Sequence, residues 1–457
     1  MTTMSGRAFG KFASGRLSRL GSFSPPRLRR LGSFSTRRLC RLGLGSLSAL
    51  AVLMSAGAAT ARDPWTLEFG PVGGGGPGDV TSERHRLKEL ERNPPIGLPT
   101  LSPANIAATK AAIERYTAIV EAGGWKMVPD AYVKPGEDHF AIVELRDRLI
   151  VSGELPAHET GSENLDATLA EALKAYQMHN GLTPNGRLDK PTVAALNVTA
   201  EDRLTQLKTN LKRLTELTAV VKPQRKYVVV NIPAAQVEAI ALNKVITRHT
   251  GVVGKVDRPT PLLRSTITEL NFNPTWRLPP TVITKDLIPQ GREMQAKGEN
   301  VLVKTGIEAY ANGKKVDPET VDWNGSAVKS YSYRQPPGKD NPLGFVKINF
   351  ASGESVYMHD SPSEGLFGSN FRAASSGCIR VHNIERLAYW LVAQNDGWEQ
   401  DRVEEMKKTG ARKDVRLATP VPLHFVYITA WATEDGAIQF RRDLYNRDGV
   451  AEIATSY

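Results

Sequence analysis

The sequence predicts a multidomain protein that is helical in its first half and mostly β in its second half. Between 102 and 222, apolar residues recur at helical spacing, as at Leu204 and Leu207. From 227 onward, stretches such as "KYVVVNIPAAQVEAI" alternate and are rich in β-branched residues. The chain is more helical and loop-rich between 285 and 340, which indicates a cap inserted into the β domain.

The first 61 residues differ from the rest of the chain. They carry Lys11, nine arginines and no acidic residue, and they end in the apolar run "LGLGSLSALAVLMSAGAATA". A basic segment, a short apolar segment and small residues at the cleavage point are typical of a secretory signal. We therefore expect a cleaved signal peptide, with a retained membrane anchor as the alternative.

Removal of this leader changes the charge and cysteine content of the protein. The whole chain has a net charge of +11 and the leader contributes +10, so the remainder is close to +1. A nearly neutral protein lacks the basic surface that nucleic-acid binding requires. Cys40 is lost with the leader, which leaves Cys378 as a single thiol that cannot form an internal disulfide.

The segments follow from composition and periodicity. The run "GPVGGGGPGD" is too rich in glycine and proline to pack, and Ser102-Pro103 is a typical helix start. We predict a signal peptide at 1–61, a flexible linker at 62–100, a helical scaffold segment at 101–136, a three-helix module at 137–199, a connector helix at 200–224, and a mostly β domain at 225–457 with a cap at about 285–340.

The segment "ALKAYQMHNGLTPNGRLDKPTVAALN" resembles the peptidoglycan-binding module of bacterial wall enzymes. The matching positions are Ala172, Leu173, Tyr176, Gln177, Gly181, Leu182, Gly186, Thr192 and Leu196. The alternative is that most of these residues only build a three-helix core. The sequence leaves open whether the module binds glycan or acts as a spacer.

The segment "YMHDSPSEGLFGSNFRAASSGCIRVHNIERLAYWLV" contains the candidate chemistry. His359 ends a strand, and Cys378 follows nineteen residues later. Val381, Ile384 and Leu387 then recur at helical spacing, which predicts that Cys378 lies at or just before a helix N-terminus. A helix N-terminus favours a thiolate, so the pattern indicates a nucleophilic cysteine with a histidine base.

The residues before the cysteine suit a tight turn. Gly377 permits close approach of a substrate, and the N–H groups of Gly377 and Cys378 are candidates for an oxyanion hole. Ser375 and Ser376 are expected to shape this turn or to donate hydrogen bonds. The competing interpretation is a buried, inert cysteine, because a lone thiol often packs as a small apolar side chain.

His359 together with Ser375-Ser376-Gly377-Cys378-Ile379-Arg380 resembles the signature of the L,D-transpeptidases, which cross-link bacterial peptidoglycan through a cysteine. The segments "GVVGKVDRPTP", "FNPTWRLPP", "RQPPGKDNPLGFVK" and "MHDSP" extend the resemblance over most of the chain after the leader. The pattern is most similar to the large periplasmic subfamily with a binding module and a capped catalytic domain. Many members have histidine where this chain has Ser376.

The resemblance implies a mechanism without metal or other cofactor. Cys378 attacks the carbonyl between the third and fourth residues of a donor tetrapeptide stem, and the terminal D-amino acid leaves. His359 transfers the protons and is oriented by a backbone carbonyl. The amine of an acceptor diaminopimelate then attacks the thioester. The resemblance also implies the periplasm of a Gram-negative bacterium, and a role in cell wall biogenesis and cell shape.

Several assignments remain open at the level of sequence. Arg380 either holds a substrate carboxylate or forms a structural salt bridge on the following helix, while Tyr333 and Arg334 are candidate substrate-binding residues. Water as acceptor would give an L,D-carboxypeptidase, and a protein amine would anchor an outer-membrane protein to the wall. A non-catalytic wall-binding scaffold is the alternative of a different class.

Overall fold

The computed structural model describes residues 98–449. The predicted signal peptide and nearly all of the predicted linker lie outside the described residues. The helices are α1 Pro103–Glu121, α2 Ala141–Ser152, α3 Ala167–His179, α4 Lys190–Leu196, α5 Ala200–Val221, α6 Pro280–Val282, α7 Ile288–Ala296, α8 Val301–Thr305, α9 Ile384–Val392 and α10 Gln400–Thr409. A π-helical turn, Ile283–Leu287, joins α6 to α7.

Fifteen strands are present among the described residues. They are β1 Lys226–Asn231, β2 Gln236–Ala241, β3 Lys244–Gly254, β4 Leu263–Phe272, β5 Trp276–Arg277, β6 Glu308–Ala311, β7 Lys314–Lys315, β8 Ser332–Gln335, β9 Val346–Phe350, β10 Met358–His359, β11 Ala373–Ser375, β12 Ile379–Val381, β13 Lys413–Val426, β14 Ala430–Ala432 and β15 Ile438–Phe440.

The first helices form as their end signals predict. The Ser102 side chain caps α1 by accepting a hydrogen bond from the Asn105 N–H at 3.1 Å, and Pro103 occupies the first turn. Helices α2, α3 and α4 form the predicted three-helix module around fully buried leucines. Gln177 lies inside it and donates a 3.0 Å hydrogen bond to the Thr192 hydroxyl. Most of the matched module residues therefore build the core, as the alternative interpretation stated.

The β domain is built on a nine-stranded sheet in the order β11-β3-β12-β10-β9-β4-β13-β1-β2. Strand β3 also pairs with β2, so the sheet closes on itself. Alternate side chains point inward and bury apolar residues such as Val230 and Ile348. Helix α9 packs the apolar face formed by Ile384, Leu387 and Leu391 on this core. The mostly β domain predicted from sequence is confirmed.

The cap has an apolar core of its own. A four-stranded sheet, β5-β8-β6-β7, packs with helices α6 to α8 around Trp323, which is 2% exposed. The Cβ that an alanine at Gly291 would carry lies 2.2 Å from the Trp323 ring. Only glycine therefore lets helix α7 approach this tryptophan.

The helical part is fastened to the β domain by buried polar contacts. The Thr109 hydroxyl of α1 accepts a 3.0 Å hydrogen bond from the Ala432 N–H of the β14–β15 hairpin. Asn210 of the connector helix donates to the Thr429 hydroxyl at 2.6 Å. The Thr183 N–H of the module donates to the Asn370 side chain at 2.7 Å. Asn370 lies in the loop between β10 and β11.

Candidate active site

The cysteine lies in a tight turn that crosses the end of strand β3. Strand β11 pairs parallel with β3 and strand β12 pairs antiparallel with it, so the chain must reverse within three residues. Gly377 has a φ of 111°, which L side chains rarely adopt. The Ser375 hydroxyl donates to the Cys378 carbonyl at 2.6 Å and accepts from the Gly377 N–H at 3.1 Å. The predicted turn residues thus form the turn.

Two predictions about this turn are wrong. Cys378 precedes strand β12, and the next helix begins only at Ile384, so the thiol does not lie at the N-terminus of that helix. The Gly377 N–H is occupied by the Ser375 hydroxyl and is therefore not an oxyanion donor in this conformation. The Cys378 N–H remains as the backbone candidate.

Strand register brings the candidate residues to one face of the sheet. The Ile379 N–H donates to the Tyr357 carbonyl at 3.0 Å, which sets Tyr357 beside Cys378. One step along, His359 pairs with Arg380. Because side chains alternate along a strand, Tyr357, His359, Cys378 and Arg380 share the face opposite the buried core.

Cys378 is partly exposed as a residue, and Tyr357 lies opposite it on the neighbouring strand. Burial raises the pKa of the Cys378 thiol, while hydrogen bonds from Tyr357 and the positive charges of Lys347 and Arg380 oppose that rise. The Tyr357 hydroxyl also accepts a 3.2 Å hydrogen bond from the Trp276 indole. The sequence interpretation missed Tyr357, although its position two residues before His359 on a strand places both on one face.

His359 is held as a neutral base. Its Nδ1 donates to the Asp360 backbone carbonyl at 2.5 Å, so the lone pair lies on Nε2. Burial first, and then the charge of Arg380, lowers the pKa of His359 to about 3. The Asp360 carboxylate instead accepts from the Phe345 N–H at 2.8 Å. The structure agrees with the expected backbone orienter and gives the carboxylate a different partner.

An ion pair connects the thiol turn to the cap. Arg258 binds Asp286 in a bidentate manner at 2.6 and 2.8 Å and also donates to the Ser376 hydroxyl at 2.8 Å. The Thr260 hydroxyl donates to the Gly377 carbonyl at 2.9 Å. Arg258 and Thr260 belong to the segment "GKVDRPTP". Their contacts to the thiol turn join parts of the chain that are far apart in sequence, so local sequence does not predict them.

The remaining candidates have different surroundings. Arg380 lies on strand β12 and not on the following helix, and its Nη1 lies 3.5 Å from the Ser361 hydroxyl. Tyr333 is 3% exposed in the cap core and donates to the Val328 carbonyl at 2.9 Å. Arg334 lies over an aromatic ring of the cap at 3.7 Å. The contacts of Tyr333 and Arg334 favour packing within the cap over substrate binding.

The site holds the groups that thiol chemistry on a carbonyl requires. A thiol, a neutral imidazole and a hydroxyl donor line one face, which allows proton removal, attack and stabilisation of a developing oxyanion. Within residues 98–449, no group of three His, Cys, Asp or Glu side chains is arranged to hold a metal ion. Over the same range, no helix has the length and apolar character needed to cross a membrane.

Comparison with known proteins assigns both parts of the chain. Residues 225–421 match the L,D-transpeptidase catalytic domain, and residues 140–196 match a peptidoglycan-binding domain. A protein of Haemophilus influenzae that is named for L,D-transpeptidase activity is 32% identical over 257 residues. That alignment covers 56% of this chain and 50% of the relative, so the chain spans about half the length of this curated relative.

Solved structures give weaker overlaps. The L,D-transpeptidase from Mycobacterium smegmatis is 13% identical with a TM-score of 0.22, over 44% of this chain and 58% of that one. The L,D-transpeptidase from Stackebrandtia nassauensis is 12% identical with a TM-score of 0.25, over 64% and 94%. Residues 225–421 therefore form an L,D-transpeptidase catalytic domain, which a peptidoglycan-binding domain at 140–196 precedes in the chain.

Proposed function

We propose that this protein is a cysteine-dependent acyltransferase that cross-links peptidoglycan between third-position diaminopimelate residues. The observation that supports it most directly is the shared face of Cys378, Tyr357 and His359 within the matched catalytic domain. A scaffold without activity would have no need to keep a neutral imidazole and a hydroxyl donor on the same face of the sheet as its single described thiol.

In the first half-reaction, Cys378 Sγ attacks the carbonyl carbon between the third and fourth residues of the donor stem. The thiol proton passes to Nε2 of His359, and the Tyr357 hydroxyl with the Cys378 N–H stabilises the oxyanion. The C–N bond then breaks, and the leaving D-amino acid takes the proton from the imidazolium. The product is a thioester and a neutral histidine.

In the second half-reaction, the diaminopimelate amine of an acceptor stem attacks the thioester. His359 accepts the amine proton, the C–S bond breaks, and the proton returns to the thiolate. Arg380, on the same face, is placed to bind a carboxylate of a stem peptide, because guanidinium groups pair with carboxylates in a bidentate manner. The broken peptide bond supplies the free energy for the new one.

Mass spectrometry of products tests the proposal. Purified protein incubated with tetrapeptide muropeptides should yield dimers linked between third residues, and Cys378→Ala should yield none. Shortened stems without dimers would indicate the carboxypeptidase reaction, and a stem joined to an added outer-membrane protein would indicate anchoring. A carbapenem should add its mass to the wild-type protein and not to Cys378→Ala; absence of the adduct from both would refute the thiol mechanism.

The cellular role follows from the same proposal. The leader pattern at 1–61 supports export, and peptidoglycan as substrate supports the periplasm of a Gram-negative bacterium as the site of action. Cross-linking there would contribute to cell wall biogenesis and cell shape. To test this, a reporter enzyme that is active only outside the cytoplasm is fused after residue 100. We expect the fusion to be active, and an inactive fusion retained in the cytoplasm would contradict export.

A further inference from the structure

A polar cavity that does not include the thiol lies where the peptidoglycan-binding module meets α1, α5 and the β14–β15 hairpin. Its volume is about 310 Å³, at the lower end of the range of small-molecule sites, about 300–1,000 Å³. Its lining includes Arg115, Arg148, Arg203, Glu154, Tyr176 and His179. We call it the arginine cavity.

Arg148 has an incomplete set of hydrogen bonds in this cavity. Its side chain is 2% exposed, and its guanidinium lies 3.6 Å from the centre of the Trp125 ring. The Nε donates to the Leu196 carbonyl at 3.0 Å, but Nη1 has no acceptor among the described residues. Leaving a buried donor of a charged group unmet is costly, so this site lacks an acceptor atom.

Three further lining groups have the same deficit. The Tyr176 hydroxyl, on a residue that is 2% exposed, has no hydrogen-bond partner within residues 98–449. Glu154 Oε1 lies 3.7 Å from His179 Nδ1, while Glu154 Oε2 and His179 Nδ1 have no hydrogen-bond partner in that range. The lining residues thus include two unmet donors, from Arg148 and Tyr176, one unmet acceptor, from Glu154, and one unmet ring nitrogen, from His179.

We propose that the arginine cavity binds an α-amino-acid zwitterion, in which one carbon carries both a carboxylate and an ammonium group. The carboxylate would accept from the Arg148 guanidinium and the Tyr176 hydroxyl, and the ammonium would donate to the Glu154 carboxylate. The unmet groups of Arg148, Tyr176 and Glu154 then each have a partner of the correct polarity, which neither a plain anion nor a neutral sugar provides.

The natural source of this zwitterion is the free end of a diaminopimelate side chain, and this identification rests on the proposed function. Four of the lining residues, Arg148, Glu154, Tyr176 and His179, lie inside the matched peptidoglycan-binding domain. The module would therefore hold a stem peptide by its side-chain amino acid. The specificity for a zwitterion does not depend on the thiol chemistry.

Calorimetric titration of the Cys378→Ala full chain tests the proposal without turnover. The probes are meso-diaminopimelate, pimelate, which lacks the amines, and a tripeptide stem ending in diaminopimelate. We expect diaminopimelate to bind at least about tenfold more tightly than pimelate, since the loss of one hydrogen bond to a charged group is roughly a tenfold effect or more. Binding of the free amino acid but not of the stem would identify a soluble amino acid as the natural ligand.

Variants locate the site. Tyr176→Phe removes only a hydroxyl that has no partner, so folding is preserved, and Glu154→Gln removes the charge opposite the ammonium; each should weaken binding about tenfold. Tyr132→Phe, at a residue that is 60% exposed in the preceding scaffold segment, is the matched control and should change nothing. Equal affinity for all variants would place binding elsewhere and overturn the proposal.

The two proposals fail separately. Carbapenem acylation of the wild-type protein reports on the thiol alone, because the arginine cavity does not include Cys378. Zwitterion binding without any acyl-enzyme would contradict the proposed function alone. An acyl-enzyme without zwitterion binding would indicate a cavity filled only by water, and equal binding of pimelate and diaminopimelate would indicate a site for carboxylates alone; either result would refute this inference.

Discussion

The hydroxyl of Tyr357 is the contact whose removal discriminates best between a reactive thiol and an inert one. Tyr357→Phe keeps the ring and its packing against His359, whose ring centre lies 5.6 Å away. It deletes the hydroxyl that acts on the sulfur and that also accepts the hydrogen bond from the Trp276 indole. Because this donor favours the thiolate, its loss should raise the pKa of Cys378 further. The tyrosine itself has a raised pKa through burial and is a neutral donor at all relevant pH values.

The size of the effect follows from hydrogen-bond energetics. A hydrogen bond to a charged group contributes about 1.5–3 kcal/mol, and about 1.36 kcal/mol corresponds to one pKa unit. The thiol pKa of Tyr357→Phe should therefore lie above that of the wild type, because a hydrogen bond that lowers it is lost. Acylation by a carbapenem should slow by roughly 100-fold, because the same hydroxyl is the proposed oxyanion donor.

The rate of thiol alkylation by iodoacetamide between pH 6 and 11, followed by intact mass, measures the first effect. Tyr331→Phe, in the cap, is the matched control and should follow the wild-type profile. If Tyr357→Phe alkylates with an unchanged pH profile, the hydroxyl does not act on the sulfur. If acylation is also unchanged, the oxyanion role is refuted as well.

Three other changes have defined outcomes. His359→Ala should slow carbapenem acylation at least about 100-fold yet leave alkylation at pH 7 nearly unchanged, since a neutral imidazole does not stabilise a thiolate; a parallel loss of both rates would indicate a resting ion pair. Burial lowers the pKa of His249 to about 4 and of His359 to about 3, below the unfolded value of 6.5. The unfolded state then binds more protons below pH 6.5, so the free energy of unfolding measured with urea should fall as the pH drops. His249 alone should account for about 3 kcal/mol of this fall near pH 4. His249→Gln should lose less stability over the same pH range than the wild type, and equal losses would contradict this assignment. Gly291→Ala should lower thermal stability by about 1–3 kcal/mol through collision with Trp323, whereas Gly338→Ala, with no atom within 4 Å, should not; equal melting temperatures would show that the cap adapts.

Sequence patterns predicted the parts of this molecule that depend on local periodicity. The helices between 103 and 221 and the alternating strands follow from apolar spacing and cap residues, because those signals act within a few positions. The turn at Gly377 was predictable for the same reason. The sequence there contains Ser375, whose hydroxyl can hold a turn, and Gly377, which adopts a positive φ.

The error at Cys378 shows where periodicity fails. Residues 379–381 form a three-residue strand that runs almost directly into helix α9, and so short an apolar run fits both patterns. Residues 379–381 form a strand because they pair with β3 and β10. The Arg258–Asp286 pair was not predictable at all, because its partners are 28 residues apart and meet only once the cap has folded.

The state of the resting thiol links these observations to function. A cysteine activated by a helix terminus would be a standing thiolate, the form that oxidants attack. Here burial raises the pKa of Cys378 and lowers that of His359, so both groups are neutral at pH 7. Proton transfer then becomes favourable only when a bound carbonyl offers the sulfur a reaction partner. For a protein proposed to work in an oxidising compartment, a neutral thiol beside a neutral base preserves the nucleophile until the donor stem arrives.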